Sequence, residues 1–257
     1  MKMKKYIIII SLFVIIFVIY KLRFKIVFQP SSKFINDTPP LFYIDNNITG
    51  CLFENNKNTL FLFSHGTGGN ISYYVPIIDK LKNIGDVLIY DYPGYGRSKG
   101  FPTEKNILES GEIALNYALS LNYKKVVLYG FSLGGAVTVH ISAISQSSNI
   151  KGVILQSTFA KLEDCVPLIG RLVVGGMFRS LDILPKVRYP ICFLHSPGDG
   201  VVPFISSKKL YDVTNSPKMF INLREYPIDG DRLMRHNDVI PSDMPIQSAI
   251  DFFNSHV

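Results

Sequence analysis

The amino-acid sequence predicts an α/β fold, a mostly parallel sheet with helices on both faces. Apolar runs of four to six residues alternate with longer segments whose apolar residues recur at helical spacing. The short runs show no polar alternation, which marks strands buried on both faces. With 47% hydrophobic and 18% charged residues in a chain of 257, a disordered or fibrous protein is excluded. The length suits one sizeable core or two small ones, and α/β folds often use such a length as one domain.

The first feature of the chain stands outside this rhythm. Tyr6 to Tyr20 (YIIIISLFVIIFVIY) is an uninterrupted apolar run with lysines on both sides. At helical rise it extends roughly 22 Å, short of a ~30 Å hydrocarbon core, but Leu22 and snorkelling lysines lengthen its reach. No small-residue cleavage site follows, only the bulky, basic KLRFKIVF. The expectation is an uncleaved signal-anchor within residues 1–27, an N-terminal transmembrane helix that makes the protein single-pass. Lys2, Lys4 and Lys5 on one side balance Lys21, Arg23 and Lys25 on the other, so charge leaves its orientation open.

The remaining elements follow in order. Residues 26–58, rich in Asn, Pro and Ser, read as a linker into irregular or edge-strand structure. Strands are expected at Leu60–Phe63, Val87–Tyr90, Val126–Tyr129, Gly152–Leu155, Ile191–Leu194 and Met219–Leu223. Between them, helices are expected near Tyr73–Ile84, Glu104–Leu121, Leu133–Ile144, Ile205–Val213 and Met244–Phe253. In the second, Ile107, Ala114, Leu115, Ala118 and Leu121 fall on one face, and Thr103 is placed to cap it. Such alternation implies right-handed crossovers and a parallel sheet. The rhythm breaks once, over residues 156–188, around the apolar stretch VPLIGRLVVGGMF. That segment is expected to be a short cap insertion over the C-terminal edge of the sheet, where α/β folds bind ligands.

Charge and cysteine content narrow the function. The net charge is +7, but residues 1–25 hold six basic residues and no acid, which leaves 21 basic against 20 acidic beyond them. The domain therefore has no surplus with which to neutralise phosphates, and nucleic-acid binding is not expected. Cys51, Cys165 and Cys192 are odd in number and widely spaced, without metal-ligand or disulfide patterning. No metal and no organic cofactor are expected.

The strongest chemical signal is Gly130-Phe131-Ser132-Leu133-Gly134-Gly135, which follows the strand VVLY and opens an apolar helix. This is the context of a G-x-S-x-G nucleophile elbow, in which glycines two residues either side relieve clashes around a strained serine. The helix N-terminus aims backbone N–H groups at a developing oxyanion, Leu133 first. A second donor is expected from the loop Ser64-His65-Gly66-Thr67-Gly68-Gly69-Asn70, with Thr67 N–H foremost and Gly68 behind it. The base and acid should come later in the chain. His65 and His195 flank strand ends, His140 lies within a helix and His256 at the terminus, which leaves His236 in the loop after the last strand. For the acid, Asp199 sits in a turn just past the strand ICFL. Asp229, Asp231 and Asp238, in the histidine's own loop, are its rivals.

The elbow GFSLGG, the loop SHGTGGN, the segment YDYPGYGRSKGFPTE and the turn HSPGDGVVP together resemble the α/β-hydrolase superfamily. They are most similar to its membrane-anchored abhydrolase-domain serine hydrolases, over about residues 28–257. The resemblance implies an α/β-hydrolase domain with about eight strands, Ser132 as nucleophile, Asp199 as acid and His236 as base. It also implies hydrolysis of esters or thioesters, often of lipids, and favours a lumenal or extracellular catalytic domain. The segment from Asp91 to Ser98 is, in that family, a strand-end loop without chemistry. One departure stands out. The family sets its histidine in a form like G-x-H-N-D, whereas the run from Gly230 to His236 is longer and ends in Arg235.

These readings converge on two-step acyl transfer from a lipophilic ester or thioester at a membrane. A protein-directed thioesterase or peptidase uses the same residues. A non-catalytic α/β-hydrolase fold serving as a tethered interaction module is the reading from another class, since fold does not dictate activity.

Overall fold

In the computed structural model the described residues are 27–228 and 232–256, with positions 6, 7, 9–11, 13, 14, 17–19 and 24 of the N-terminal segment. Ten strands are labelled in chain order: β1 Gln29–Pro30, β2 Phe42–Tyr43, β3 Thr49–Phe53, β4 Thr59–Ser64, β5 Gly68–Gly69, β6 Asp86–Tyr90, β7 Lys125–Phe131, β8 Ile150–Gln156, β9 Ile191–His195 and β10 Lys218–Asn222. Among the described residues eight of them form one sheet in the order β10-β9-β8-β7-β4-β6-β3-β2. The run from β10 to β6 is parallel, and β3 and β2 close the far edge antiparallel. Beyond residue 28, the longer helices among the described residues are α1 Val75–Leu81, α2 Glu104–Ser120, α3 Leu133–Ile144, α4 Phe204–Val213 and α5 Met244–Asn254.

The strand period of two divides the core between the faces of the sheet. Leu60, Leu62, Val126 and Leu128 pack with Ile107, Ala114 and Val137 of α2 and α3 on one side. Phe61, Phe63, Val127 and Tyr129 pack with Ile78 and Leu81 of α1 and Phe253 of α5 on the other. Thr103 caps α2, its side chain accepting from Asn106 N–H at 3.1 Å.

Three expectations shift in detail. The segment before residue 59 supplies β2 and β3, and β3 (TGCLF) is mostly buried against β6. Its glycine and flanking asparagines hid it, because its partner rather than its composition makes it a strand. The α-helix expected from Tyr73 begins at Val75, after a 3₁₀ turn at Ile71–Tyr74, because Pro76 occupies its first turn. β10 stops at Asn222, whose side chain accepts from Arg224 N–H at 3.0 Å and turns the chain.

The expected anchor Tyr6–Tyr20 lies partly outside the described residues. Its described positions are helical and exposed, and among the described residues no helix is long and apolar enough to cross a membrane.

One buried cluster sets the loop after β4. The hydroxyls of Tyr92, Tyr95 and Tyr74 each donate at 2.7 Å, to the carbonyls of His65, Thr67 and Gly68 respectively. The His65 ring lies among these tyrosines, with its Nδ1 2.8 Å from the Gly66 carbonyl. Burial pushes its pKa down to about 4, so the ring is neutral and Nδ1–H donates. Asp91 accepts from Ile71 N–H at 2.9 Å through one carboxyl oxygen, and the other is buried without a partner. Burial raises its carboxyl to about 7, against the lowering effect of the Ile71 and Arg97 N–H groups.

The sign of the resulting pH dependence follows from these two groups. Between its ordinary value near 3.8 and about 7, Asp91 holds a proton in the folded state that the unfolded chain has released. Its contribution to stability is complete below that window and is lost as pH rises through it. His65 acts oppositely between about 4 and 6.5 and is common to wild type and variant. Asp91→Asn should therefore gain stability relative to wild type as pH rises from about 4 to about 7. Urea unfolding across that range is the measurement, and a constant difference would contradict the buried carboxyl.

Candidate active site

Ser132 lies between β7 and α3 with φ 54° and ψ −118°, outside the regions an L-residue ordinarily occupies. Its neighbours show why the turn is possible. A Cβ on Gly130 would come 2.6 Å from the Gly134 carbonyl oxygen, and one on Gly134 would overlap the Ser64 carbonyl. The turn is held by Ser132 N–H donating to the Gln156 carbonyl at 3.0 Å and by the Thr158 hydroxyl donating to the Ser132 carbonyl at 2.8 Å. The backbone is fully committed, and the side chain is left to project.

The structure brings Ser132, His236 and Asp199 together from the ends of three elements. His236 Nε2 is 2.9 Å from Ser132 Oγ, and His236 Nδ1 is 2.8 Å from Asp199 Oδ2. With Nδ1–H donating to the carboxylate, Nε2 presents its lone pair to the serine hydroxyl. Each of the three is only 8% exposed, so water competes weakly for these bonds. Burial alone would push the Asp199 carboxyl up. Hydrogen bonds from His195, His236 and the Val202 N–H together hold it well below the usual carboxylate range. Its other oxygen accepts from Val201 and Val202 N–H, both at 2.9 Å.

The long loop before His236 does not displace the imidazole. Ile228 N–H donates to the Arg232 carbonyl at 2.9 Å, and Asp238 holds both Arg232 Nη1 and Arg235 N–H at 2.7 Å. Met234 is buried, so the extra length is spent before the ring. Of the rival acids, Asp238 is thus occupied with Arg232, while Asp229 and Asp231 lie outside the described residues.

His195 is the residue that sequence reasoning passed over. It is fully buried behind Asp199, with Nε2 3.2 Å from Asp199 Oδ2 and 3.1 Å from the Val202 carbonyl. Ser207 Oγ lies 2.6 Å from its Nδ1. Its place four residues before Asp199, across the strand-end turn, was the available signal. The remaining histidines stand apart, His140 against Glu112 at 2.7 Å and His256 on the exposed C-terminus.

A cavity of about 780 Å³ opens over Ser132, lined by Thr67, Phe159, Leu162, Val174 and His236 among others. Leu133 opens α3 directly after the serine and is buried. Among the described residues no acceptor engages the N–H of Thr67 or of Leu133. Short helical turns at Leu162–Cys165 and Arg171–Val174 roof the cavity between β8 and β9. The roof is tied down where Phe178 N–H donates to Glu104 at 2.6 Å and Leu181 N–H to the Ala160 carbonyl at 3.0 Å.

A family model described as alpha/beta hydrolase fold matches residues 59–179. An uncharacterised membrane protein of Saccharomyces cerevisiae, YNL320W, is 30% identical over 205 residues, which is 74% of this chain and 68% of the relative. Human alpha/beta hydrolase domain-containing protein 17B is 29% identical over 183 residues, 66% of this chain and 62% of its own. Among solved structures, the Pyrococcus furiosus esterase Pf2001 superposes with a TM-score of 0.67 at 16% identity, covering 90% of this chain and 97% of the esterase. The strand order, the strained serine between β7 and α3 and these likenesses together place the chain in the abhydrolase-domain family of α/β-hydrolase proteins.

Proposed function

We propose that this protein is a membrane-anchored serine hydrolase that cleaves carboxylic esters or thioesters of lipophilic acyl groups. The observation that carries the reading is the continuous line from Asp199 through His236 to Ser132, at 2.8 and 2.9 Å, at the floor of an apolar cavity. An esterase among the structural neighbours is in keeping with it.

In this reading His236 Nε2 takes the Ser132 proton as Oγ attacks the carbonyl carbon. The tetrahedral oxyanion is met by the N–H groups of Leu133 and Thr67, at the positive end of α3. Asp199 keeps the imidazole in its productive tautomer and stabilises the imidazolium that forms. His236 returns the proton to the leaving alcohol or thiol, and water then releases the acyl group from Ser132 by the same steps. His195 and the two backbone donors keep Asp199 ionised and fixed, so its charge is available to the ring. Attachment to a membrane is supported by the apolar run Tyr6–Tyr20 and by the description of the yeast relative as a membrane protein.

The purified protein should react with a fluorophosphonate and hydrolyse a p-nitrophenyl ester, and Ser132→Ala should abolish both. His236→Ala should lower kcat by roughly 10³-fold or more and Asp199→Asn by about 10⁴-fold, with unchanged circular dichroism. Labelling that persists in Ser132→Ala would overturn the nucleophile, and near-normal turnover in His236→Ala with loss in His195→Ala would overturn the base. Absence of labelling in a folded wild type would leave a non-catalytic module.

Val174 is buried in the cavity wall, so Val174→Phe should fill space an acyl chain needs. It should lower kcat/KM for a decanoyl ester by about tenfold or more relative to an acetyl ester. Equal effects on both esters would place the acyl chain elsewhere. Full-length protein should stay with membranes through high-salt and carbonate washes, which remove electrostatically bound proteins. Release into the supernatant would refute the anchor and leave the ester chemistry untouched.

A further inference from the structure

The roof of the cavity is apolar on both of its faces. Between Cys165 and Phe178 the chain carries a single charged residue, Arg171. Arg171 N–H donates to the Pro167 carbonyl and Leu172 N–H to that of Ile169, which winds this stretch into a helical turn. Val166 and Val174 line the cavity from one side of the turn. On the other side Leu168, Ile169 and Leu172 stand 77, 81 and 85% exposed. Three large aliphatic side chains grouped in water mark a surface that meets an apolar partner.

The surroundings identify that partner. The described residues of the N-terminal run do not cover the ridge, since its three aliphatic side chains keep most of their surface in water. That run joins the domain at the cavity, where Val27 and Gln29 belong to the lining and Phe28 packs edge-on against Phe178 of the roof at 6.1 Å. In the sequence, Lys21, Arg23 and Lys25 separate the apolar run from this junction. An apolar ridge with an arginine in its midst, beside the attachment point of an apolar segment with a basic flank, has the chemistry of a surface that meets anionic lipid. Tyr73 and Val201, also of the lining, continue the partly exposed apolar rim.

We propose that Leu168, Ile169 and Leu172 form a wedge that inserts into an anionic phospholipid bilayer, with Arg171 at headgroup level, so that the cavity mouth opens onto the lipid. The purpose of the wedge, to admit an acyl chain directly from the bilayer, rests on the hydrolase reading above; the docking itself does not.

The chain contains no tryptophan, so one introduced indole reports its own position. Full-length Leu172→Trp should show blue-shifted emission on mixing with vesicles of phosphatidylcholine and phosphatidylserine, and quenching when the acyl chains carry bromine. Ile144→Trp, at the far end of α3 from Ser132, should show neither change. An unshifted Leu172→Trp, whether or not the protein floats with the vesicles, overturns the wedge. So does an equal response of both reporters, or a shift that appears without vesicles and grows with protein concentration, which would indicate a second copy. A triple variant, Leu168→Ser with Ile169→Ser and Leu172→Ser, should lose about tenfold in rate on an ester dispersed in those vesicles while keeping its rate on p-nitrophenyl acetate. Equal loss on both substrates, or none on either, counts against the wedge. If no ester is hydrolysed at all, the hydrolase reading fails, and the fluorescence pair still decides the docking.

Discussion

Helix α3 starts so close to the end of β4 that the Ser64 carbonyl occupies the space a side chain at position 134 would need. This close approach governs the site. It forces a glycine two residues after Ser132, drives the serine backbone to positive φ and sets the helix N-terminus over the sheet edge. It also brings the N-terminus of α3 beside the loop that follows β4, because that loop leaves from the same carbonyl. Strain in one residue is tolerable because its N–H and carbonyl are both bonded and both neighbouring strands are buried.

Charge in the site is managed by hydrogen bonds. Asp199 sits where burial would favour its neutral form, yet four donors converge on its two oxygens. Asp91 shows the contrary outcome, just past β6. With only the backbone N–H groups of Ile71 and Arg97 to lower it and one oxygen left without a hydrogen-bond partner, burial prevails and its carboxyl rises. The first carboxylate can hold an imidazolium; the second helps shape a loop. Around it, three tyrosine hydroxyls satisfy carbonyls that a glycine-rich loop would otherwise leave buried and unpaired.

The roof between β8 and β9 serves two environments at once. Its inner side completes an apolar cavity, and its outer side leaves aliphatic side chains in water. Phe28, packed edge-on against Phe178, ties that roof to the start of the domain, just after the apolar N-terminal run.

The amino-acid sequence by itself determined the central architecture, because buried parallel strands must be continuous apolar runs and their covering helices must be amphipathic. It also marked Ser132, since a serine between two glycines at a strand–helix junction has a local steric cause that the chain cannot hide. Features that depend on partners distant in sequence became visible in the folded chain alone. β3 became a strand through its pairing with β6, not through its own composition. Asp199 and His236 stood in a plausible order, but their convergence on Ser132 depends on how β9 lies beside β8 and on where the long loop spends its extra residues. His195, read as a strand-end residue, became a second donor to Asp199 because the turn after β9 folds the carboxylate back over it. Periodicity and local sterics are written in neighbouring residues, whereas hydrogen-bond convergence requires the whole fold to be closed.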